Sequence, residues 1–98
     1  MRLSVRWTTP SLSQLENIQD YIAKDNPVAA FEVVEHIRLH VNIQLPEQPL
    51  SGRPGRVDGA RELVITGSNH VVAYRVTEDA IEILAIKHGA QAWPDTFG

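Results

Sequence analysis

The chain of 98 residues is long enough for one small domain with a single hydrophobic core and too short for two independent ones. Hydrophobic residues make up 43% and charged residues 21% of it, which is ordinary globular usage and argues against disorder. The lack of cysteine excludes disulfides and thiolate metal sites, and the net charge of −3 argues against a protein that binds nucleic acid mainly by neutralising phosphates. We predict one domain over residues 1–98.

The first two predicted elements are a strand and a helix. Apolar and polar residues alternate over residues 3–7, the period of two that is typical of a strand with one buried face. The segment TTPS then predicts a helix start, with Thr9 or Ser11 as the N-cap and Ser11 with Gln14 as a capping box. Apolar residues at spacings of three and four predict that this helix ends near Lys24.

A second helix follows after a very short connection. Asn26 is a good N-cap, and Pro27 suits the first helical position. The apolar stripe continues to Pro46, where we expect the helix to end because proline cannot extend it. The short connection predicts that the two helices form an antiparallel hairpin. Prolines and glycines punctuate residues 46–59, which predicts an irregular loop.

Three strands are predicted in the second half of the chain, over residues 61–66, 70–77 and 80–87. They are separated by GSN and by ED, turns of a length suited to hairpins, and therefore predict an antiparallel meander. Their apolar content requires a cover for one sheet face, and the two amphipathic helices can supply it. The expected fold is a two-layer α+β domain with an N-terminal strand, a helical hairpin and a three-stranded antiparallel meander.

Charge is distributed unevenly along this expected fold. Residues 9–48 carry six acidic side chains and two basic ones, whereas residues 49–76 carry four arginines and two acids. No stretch of about 18 apolar residues or segment of signal-peptide type occurs, so we expect a cytoplasmic protein with no membrane partner. The arginines predict a local positive patch on a molecule that is anionic as a whole.

Four segments in order carry a resemblance to a known family. They are YIAKDNPVAA between the helices, GRPGRVDGARELVI leading into a strand, VVAYRV in the next strand, and ILAIKHGAQAWP at the end. Together they resemble the RelE/ParE toxins of bacterial type II toxin–antitoxin modules, and the ending HGAQAWP is similar to the ParE branch in particular. The resemblance spans nearly the whole chain. It implies a small cytoplasmic toxin that forms a hetero-oligomer with a cognate antitoxin.

The resemblance implies one of two activities. ParE-like toxins are associated with inhibition of DNA gyrase, which is an act of binding, whereas RelE-like toxins cut messenger RNA on the ribosome. Metal-free RNA cleavage needs a base, an acid and cations that hold the charged phosphorane. Arg61 and Arg75 match the arginines that RelE-like toxins use for phosphate, and His88 could exchange a proton near neutral pH.

The set of residues for the ribonuclease is incomplete. That branch commonly adds a further acid or base near the C-terminus, often tyrosine, but the tyrosines here are Tyr21 and Tyr74. Tyr74 alternates with apolar neighbours and is therefore expected in the core. We predict a DNA gyrase inhibitor with no catalytic activity, cofactor or sequence-specific DNA binding of its own. The alternative is a ribosome-dependent mRNA endoribonuclease, and a third possibility is a detoxified partner of the antitoxin.

Six residues are predicted to contact the target or the antitoxin: Arg53, Arg56, Arg61, Arg75, His88 and Trp93. The arginines would meet an acidic protein surface and set its register. In a purely structural interpretation Arg53 and Arg56 are solvated, and Arg61 pairs with Glu62 or Glu82. Trp93 could either close the end of the core or anchor an interface.

Two further patterns do not predict sites. His36 and His40 lie four residues apart on the second helix and could share a metal ion, but no motif supplies a third ligand. The segment GRPGRVDG lacks the GK[ST] ending of a phosphate-binding P-loop and does not open a helix. We therefore predict neither a metal site nor a nucleotide site.

Overall fold

The structure, a computed structural model, describes residues 3–89, 91–94 and 97. These residues form a helical hairpin packed on a mixed sheet of strand order β1-β5-β4-β3-β2. The elements are β1 (Ser4–Trp7), α1 (Thr9–Ala23), α2 (Pro27–Leu39), β2 (Arg53–Pro54), β3 (Arg61–Val64), β4 (His70–Val76) and β5 (Ala80–His88). The predicted two-layer α+β fold is confirmed, with β1 parallel to β5 and the remaining pairs antiparallel.

The N-cap of α1 is Thr8, so the prediction of Thr9 or Ser11 was wrong. The Thr8 hydroxyl accepts from the Ser11 backbone N–H at 3.3 Å and donates to the carbonyl of Ile83 at 2.6 Å. The Thr8 hydroxyl therefore both caps α1 and links the start of α1 to β5. The predicted capping box does not form either, because Gln14 instead accepts a hydrogen bond from a β5 backbone N–H.

The start of α2 is as predicted, but its end is not. Asn26 caps the helix by accepting a hydrogen bond from the Ala29 N–H at 3.0 Å. Helical structure continues past Pro46, through a π-helical turn at His40–Gln44 and a last turn at Leu45–Glu47. A π-helical turn pairs each N–H with the carbonyl five residues earlier, and this wider turn directly precedes the proline that has no N–H to offer.

The strands follow the predicted order, but their bounds differ from those predicted. Strand β3 ends at Val64, two residues earlier than expected, β4 ends at Val76, one residue earlier, and β5 continues one residue further to His88. Within the segment predicted to be irregular, Arg53–Pro54 forms the short strand β2 on the edge of β3. Ala73 pairs with Ala85 and Tyr74 with Ile83, so Leu84 is an extra residue that bulges β5.

The helices cover one face of the sheet and form the core with it. The buried core cluster consists of Leu15, Val34, Ile37, Val41, Leu45, Leu63, Ile65, Val72, Tyr74, Ile81, Ile83 and Ile86. Tyr74 is fully buried, which confirms its predicted place in the core. Alternation along the paired strands then assigns a second set of residues to the opposite face, which we call the outer face: Ser4, Arg6, Arg53, Glu62, Val64, Val71, Ala73, Arg75, Ala80, Glu82, Ala85 and Lys87.

Candidate binding face

Charged side chains on the outer face are layered. Arg6 Nη1 lies 3.5 Å from Glu82 Oε2, and Arg53 Nη2 lies 3.2 Å from Glu62 Oε1. The two arginine side chains are 64% and 63% exposed, whereas their carboxylate partners are 24% and 10% exposed. The carboxylates therefore lie low against the sheet and the guanidinium groups reach into solvent. An anionic chain thus presents positive charge on this face.

Glu62 binds two residues of the arginine-rich loop, Arg53 and Arg56. One carboxylate oxygen pairs with Arg53, and the other accepts the Arg56 backbone N–H at 3.1 Å. Burial raises the pKa of Glu62, but the Arg56 N–H, the Arg53 guanidinium and the Trp93 indole outweigh it and lower the pKa below 4.5. Sequence reasoning missed this role, although alternation already indicated that Glu62 and Arg61 point to opposite faces.

Arg61 lies on the helix side of the sheet, apart from the outer-face arginines. It is the cross-strand partner of Tyr74, and its Nη1 donates a 2.8 Å hydrogen bond to the carbonyl of Gly52. Neither Glu62 nor Glu82 is the partner in this bond. Arg61 therefore stabilises the segment before β2, whereas Arg75 lies on the outer face as the register partner of Glu82.

The loop that carries Arg53 and Arg56 is anchored from below by Tyr74. The Tyr74 hydroxyl donates to the carbonyl of Pro49 at 2.8 Å and accepts from the Gly52 N–H at 2.9 Å. A side chain at Gly52 would place its Cβ 2.6 Å from the Tyr74 hydroxyl and 2.8 Å from the Glu62 carbonyl oxygen. Glycine is required here because the backbone passes too close for any larger residue.

His88 lies far from the arginines. It is the cross-strand partner of His70 at the other end of β4, where the two rings meet edge to face with centroids 5.9 Å apart. Arg75 lies five positions along β4 from His70, a span of about 17 Å at the rise of a strand. His88 also points to the helix side. The structure therefore does not bring Arg61, Arg75 and His88 around one point.

The two histidines line a groove between the helices and the end of the sheet. It has a volume of about 920 Å³ and is bounded by apolar side chains of α1, α2 and β5. The apolar members are Ile18, Tyr21, Ile22, Val33 and Ile86. Burial, followed by the charge of His88, lowers the pKa of His70 below 6.5.

The lowered pKa of His70 predicts a pH dependence of stability. The unfolded chain takes up the proton near pH 6.5 before the folded chain does, so the free energy of unfolding should fall as pH drops below 6.5. His70→Gln should flatten this part of the profile. Urea denaturation at pH 7.5, 6.5 and 5.5 measures the effect, and an equally steep profile in the variant would contradict it.

Trp93 lies against the outer face. Lys87 Nζ is 5.0 Å from the centroid of its indole, a cation–π contact, and the Phe97 ring meets it edge to face at 5.5 Å. The indole Nε1 is buried and, within the part of the chain described, is the buried side-chain nitrogen or oxygen without a hydrogen-bond partner. Trp93 thus belongs to the same surface as Arg53 and Arg75.

The pair His36 and His40 is engaged within the protein. His36 Nε2 contacts the carbonyl oxygen of Thr66, and His40 Nδ1 lies 2.8 Å from Gln44 Oε1. Among residues 3–89, 91–94 and 97, the structure contains no group of three or more histidines and carboxylates placed to hold a metal ion. In the same residues, no helix has the length and apolar character needed to cross a membrane.

The chain is a small α+β domain with a helical hairpin on one sheet face and exposed guanidinium groups on the other. Comparison with known proteins identifies the family to which this domain belongs. Residues 5–93 match the family described as the ParE toxin of the type II toxin–antitoxin system parDE. The chain belongs to this family, and the resemblance to RelE/ParE toxins is confirmed.

Two relatives and two solved structures extend the comparison. The chain is 44% identical over 96 residues to "Putative toxin Y4kP" of Sinorhizobium fredii, covering 98% of each. It is 32% identical over 87 residues to "Toxin RelE2" of Caulobacter vibrioides, covering 89% of this chain and 96% of the relative.

The first solved structure is a chain of the chromosomal ParDE toxin–antitoxin system from P. aeruginosa. It has a TM-score of 0.80 at 29% identity and covers 89% of this chain and 96% of its own. The second is a chain of the toxin–antitoxin complex RelBE2 from Mycobacterium tuberculosis, with a TM-score of 0.66 at 21% identity, over 93% and 95% of the two chains. This second likeness concerns the fold alone.

Proposed function

We propose that this toxin acts by binding DNA gyrase through the outer face, without catalysis or a cofactor. The observation that carries the proposal is the layering of charge, in which exposed arginines stand above covered carboxylates. Such a face steers and orients an acidic protein surface without making the whole molecule basic. The proposed contact residues are Arg53, Arg56, Arg75 and Trp93, and the site of action is the cytoplasm.

The positions of the candidate catalytic residues support binding over RNA cleavage. A phosphorane is held by groups that reach the same few ångströms of space. Arg75 lies on the outer face, while Arg61 and His88 lie on the helix side at opposite ends of the sheet. Tyr74, which would have to replace the missing acid or base, is fully buried and bonded to the backbone.

A cognate antitoxin is the second proposed partner, in a hetero-oligomer with this chain. The family match and the solved neighbour from the ParDE toxin–antitoxin system support such a partner here. The groove lined by Ile18, Tyr21 and Ile86 offers a mostly apolar surface beside the helical hairpin. An amphipathic segment of the antitoxin would lie along it with its apolar side chains inward, while His88 forms part of the groove wall.

A supercoiling assay tests the proposed target. The purified chain, added to DNA gyrase with relaxed plasmid, should block supercoiling, and prior mixing with the antitoxin should relieve the block. Expression in cells should arrest growth and induce the response to DNA damage. Undisturbed supercoiling together with cleavage of ribosome-bound message would contradict the proposal and identify a ribonuclease. Undisturbed growth would identify a detoxified partner of the antitoxin.

A further inference from the structure

Glu62 lies at the junction of two segments that are distant in the sequence. The first segment carries Arg53 and Arg56, whose guanidinium and backbone N–H respectively contact the two carboxylate oxygens. The second is the C-terminal tail, whose Trp93 indole lies close enough to Glu62 to lower its pKa. Residues 53 and 93 are thus brought to one buried carboxylate on the outer face.

The sheet register explains how Trp93 reaches Glu62. Lys87, which contacts the indole, lies on β5, and Glu62 lies two strands away on β3. Ala73 of β4 pairs with both Glu62 and Ala85, and Val71, the register partner of Lys87, is the next outer-face residue of β4, so short apolar side chains occupy the outer face between Lys87 and Glu62. Both alanines are buried even though they point away from the helices. Trp93 and Ala85 line the same pocket, and the indole lowers the pKa of Glu62, so the indole extends from Lys87 over this depression towards the carboxylate.

We infer that Glu62 is a positioning residue that fastens the C-terminal tail and the arginine loop to one point, so that Trp93, Arg53 and Arg56 present a single surface to the target. This inference rests on the proposed function for the identity of that target. The loop binds Glu62 through the Arg53 guanidinium and the Arg56 backbone N–H, and the tail approaches the same carboxylate separately, with the edge of the Trp93 indole. Its removal loosens both.

The charge of Glu62 is essential to this role. The carboxylate attracts the Arg53 guanidinium and the positive edge of the Trp93 indole, and hydrogen bonds to an ionised acceptor are about twice as strong as those to a neutral one. Glutamine keeps the size of the side chain and one acceptor oxygen but has no charge. The buried Trp93 Nε1 makes no contact of hydrogen-bond geometry among the described residues, so its N–H is attracted to the Glu62 carboxylate by charge, and that attraction depends on the carboxylate being ionised.

The signal of the Trp93 indole N–H in ¹⁵N nuclear magnetic resonance tests the inference on the full chain. Glu62→Gln should shift this signal and speed its exchange with solvent about fivefold. The Trp7 indole, which donates to Asn42 at 3.1 Å, is an internal reference that should not change. Glu82→Gln is the matched control, because it removes the other paired carboxylate of the outer face and should leave Trp93 unchanged. Trp93→Phe assigns the signal.

A pH titration of the unaltered chain gives a second measurement that needs no variant to fold. The Trp93 signal should follow the carboxyl signal of Glu62, with both constant near neutral pH and changing together as pH falls through the lowered pKa of Glu62. Among the described residues, the charged groups on the elements around Glu62 at the outer face are Arg53, Arg56, Asp58, Arg75, Glu82 and Lys87. Asp58 and Glu82 are the carboxylic acids among these six residues, and Asp58→Asn and Glu82→Gln remove them.

Supercoiling inhibition by Glu62→Gln connects the positioning role to the target. We expect about fivefold more of this variant to be needed for half inhibition than of the unaltered chain or of Glu32→Gln, which removes an exposed carboxylate of α2 away from the outer face. If the Trp93 signal is unchanged both in Glu62→Gln and during the titration of Glu62, the inference is wrong, even if the chain inhibits gyrase. A coupled Trp93 signal in a chain that leaves gyrase undisturbed would instead overturn the proposed target.

Discussion

Truncation of Tyr74 to alanine is expected to lower the free energy of unfolding by about 3–5 kcal/mol, the range for removing a buried aromatic side chain. The side chain is fully buried between the helices and the sheet. Its hydroxyl also satisfies the Gly52 N–H and the Pro49 carbonyl. The variant therefore leaves a cavity in the core and two backbone groups without their partner.

Tyr74→Phe separates these two contributions. It keeps the ring but deprives Gly52 and Pro49 of the hydroxyl, which should cost about 1–3 kcal/mol. Urea denaturation followed by circular dichroism measures both variants. Tyr21 is the matched control, since it is 74% exposed and Tyr21→Phe should change stability by less than about 0.5 kcal/mol. Equal stability of Tyr74→Phe and the unaltered chain would show that the loop does not depend on the hydroxyl.

The second large effect is expected at the proposed target interface. A variant with Arg56→Glu and Arg75→Gln should inhibit DNA gyrase at least about tenfold more weakly, because like charges facing each other across an interface cost several kcal/mol. Arg56 is suited to this test since the contact that it makes with Glu62 uses its backbone N–H, which the substitution retains. Half-inhibitory concentrations in the supercoiling assay measure the loss, which should shrink at high salt.

A matched variant on the helices controls for net charge. Arg38→Glu with Lys24→Gln changes the charge by the same amount at two exposed positions away from the outer face. It should inhibit gyrase as the unaltered chain does. Equal weakening by both variants would mean that overall charge, and not the outer face, governs the interaction. Thermal unfolding confirms that each variant is folded before it is compared.

Most of the fold could be predicted from local patterns. The caps and spacings over residues 26–45 define a helix that begins at Pro27 with Asn26 as its N-cap, and the hairpin turns before His70 and Ala80 set the order of the antiparallel strands. The pairing of β1 with β5 had no such signal. Those strands lie more than 70 residues apart, and no turn joins them directly. The bulge at Leu84 also depends on how β4 and β5 pack, which alternation alone does not reveal.

The sequence predicted which residues belong to the candidate site better than it predicted how they are arranged. Four arginines close in sequence suggested one patch, but the pleat of β3 and β4 sends Arg61 and Arg75 to opposite faces. His88 is separated from Arg75 for a similar reason, since it lies at the far end of the same pair of strands. Glu62 was overlooked because its partners come from a loop and from the tail, which no spacing connects to it.

The sequence by itself determined the periods of the helices and strands, the burial of Tyr74 and the concentration of arginines in an acidic chain, because each depends on residues within a few positions of one another. Tertiary structure alone decided which arginines share a face, which carboxylate they cover and where Trp93 lies. Those relations are between segments that meet only when the sheet assembles, and how it assembles depends on packing across the whole chain.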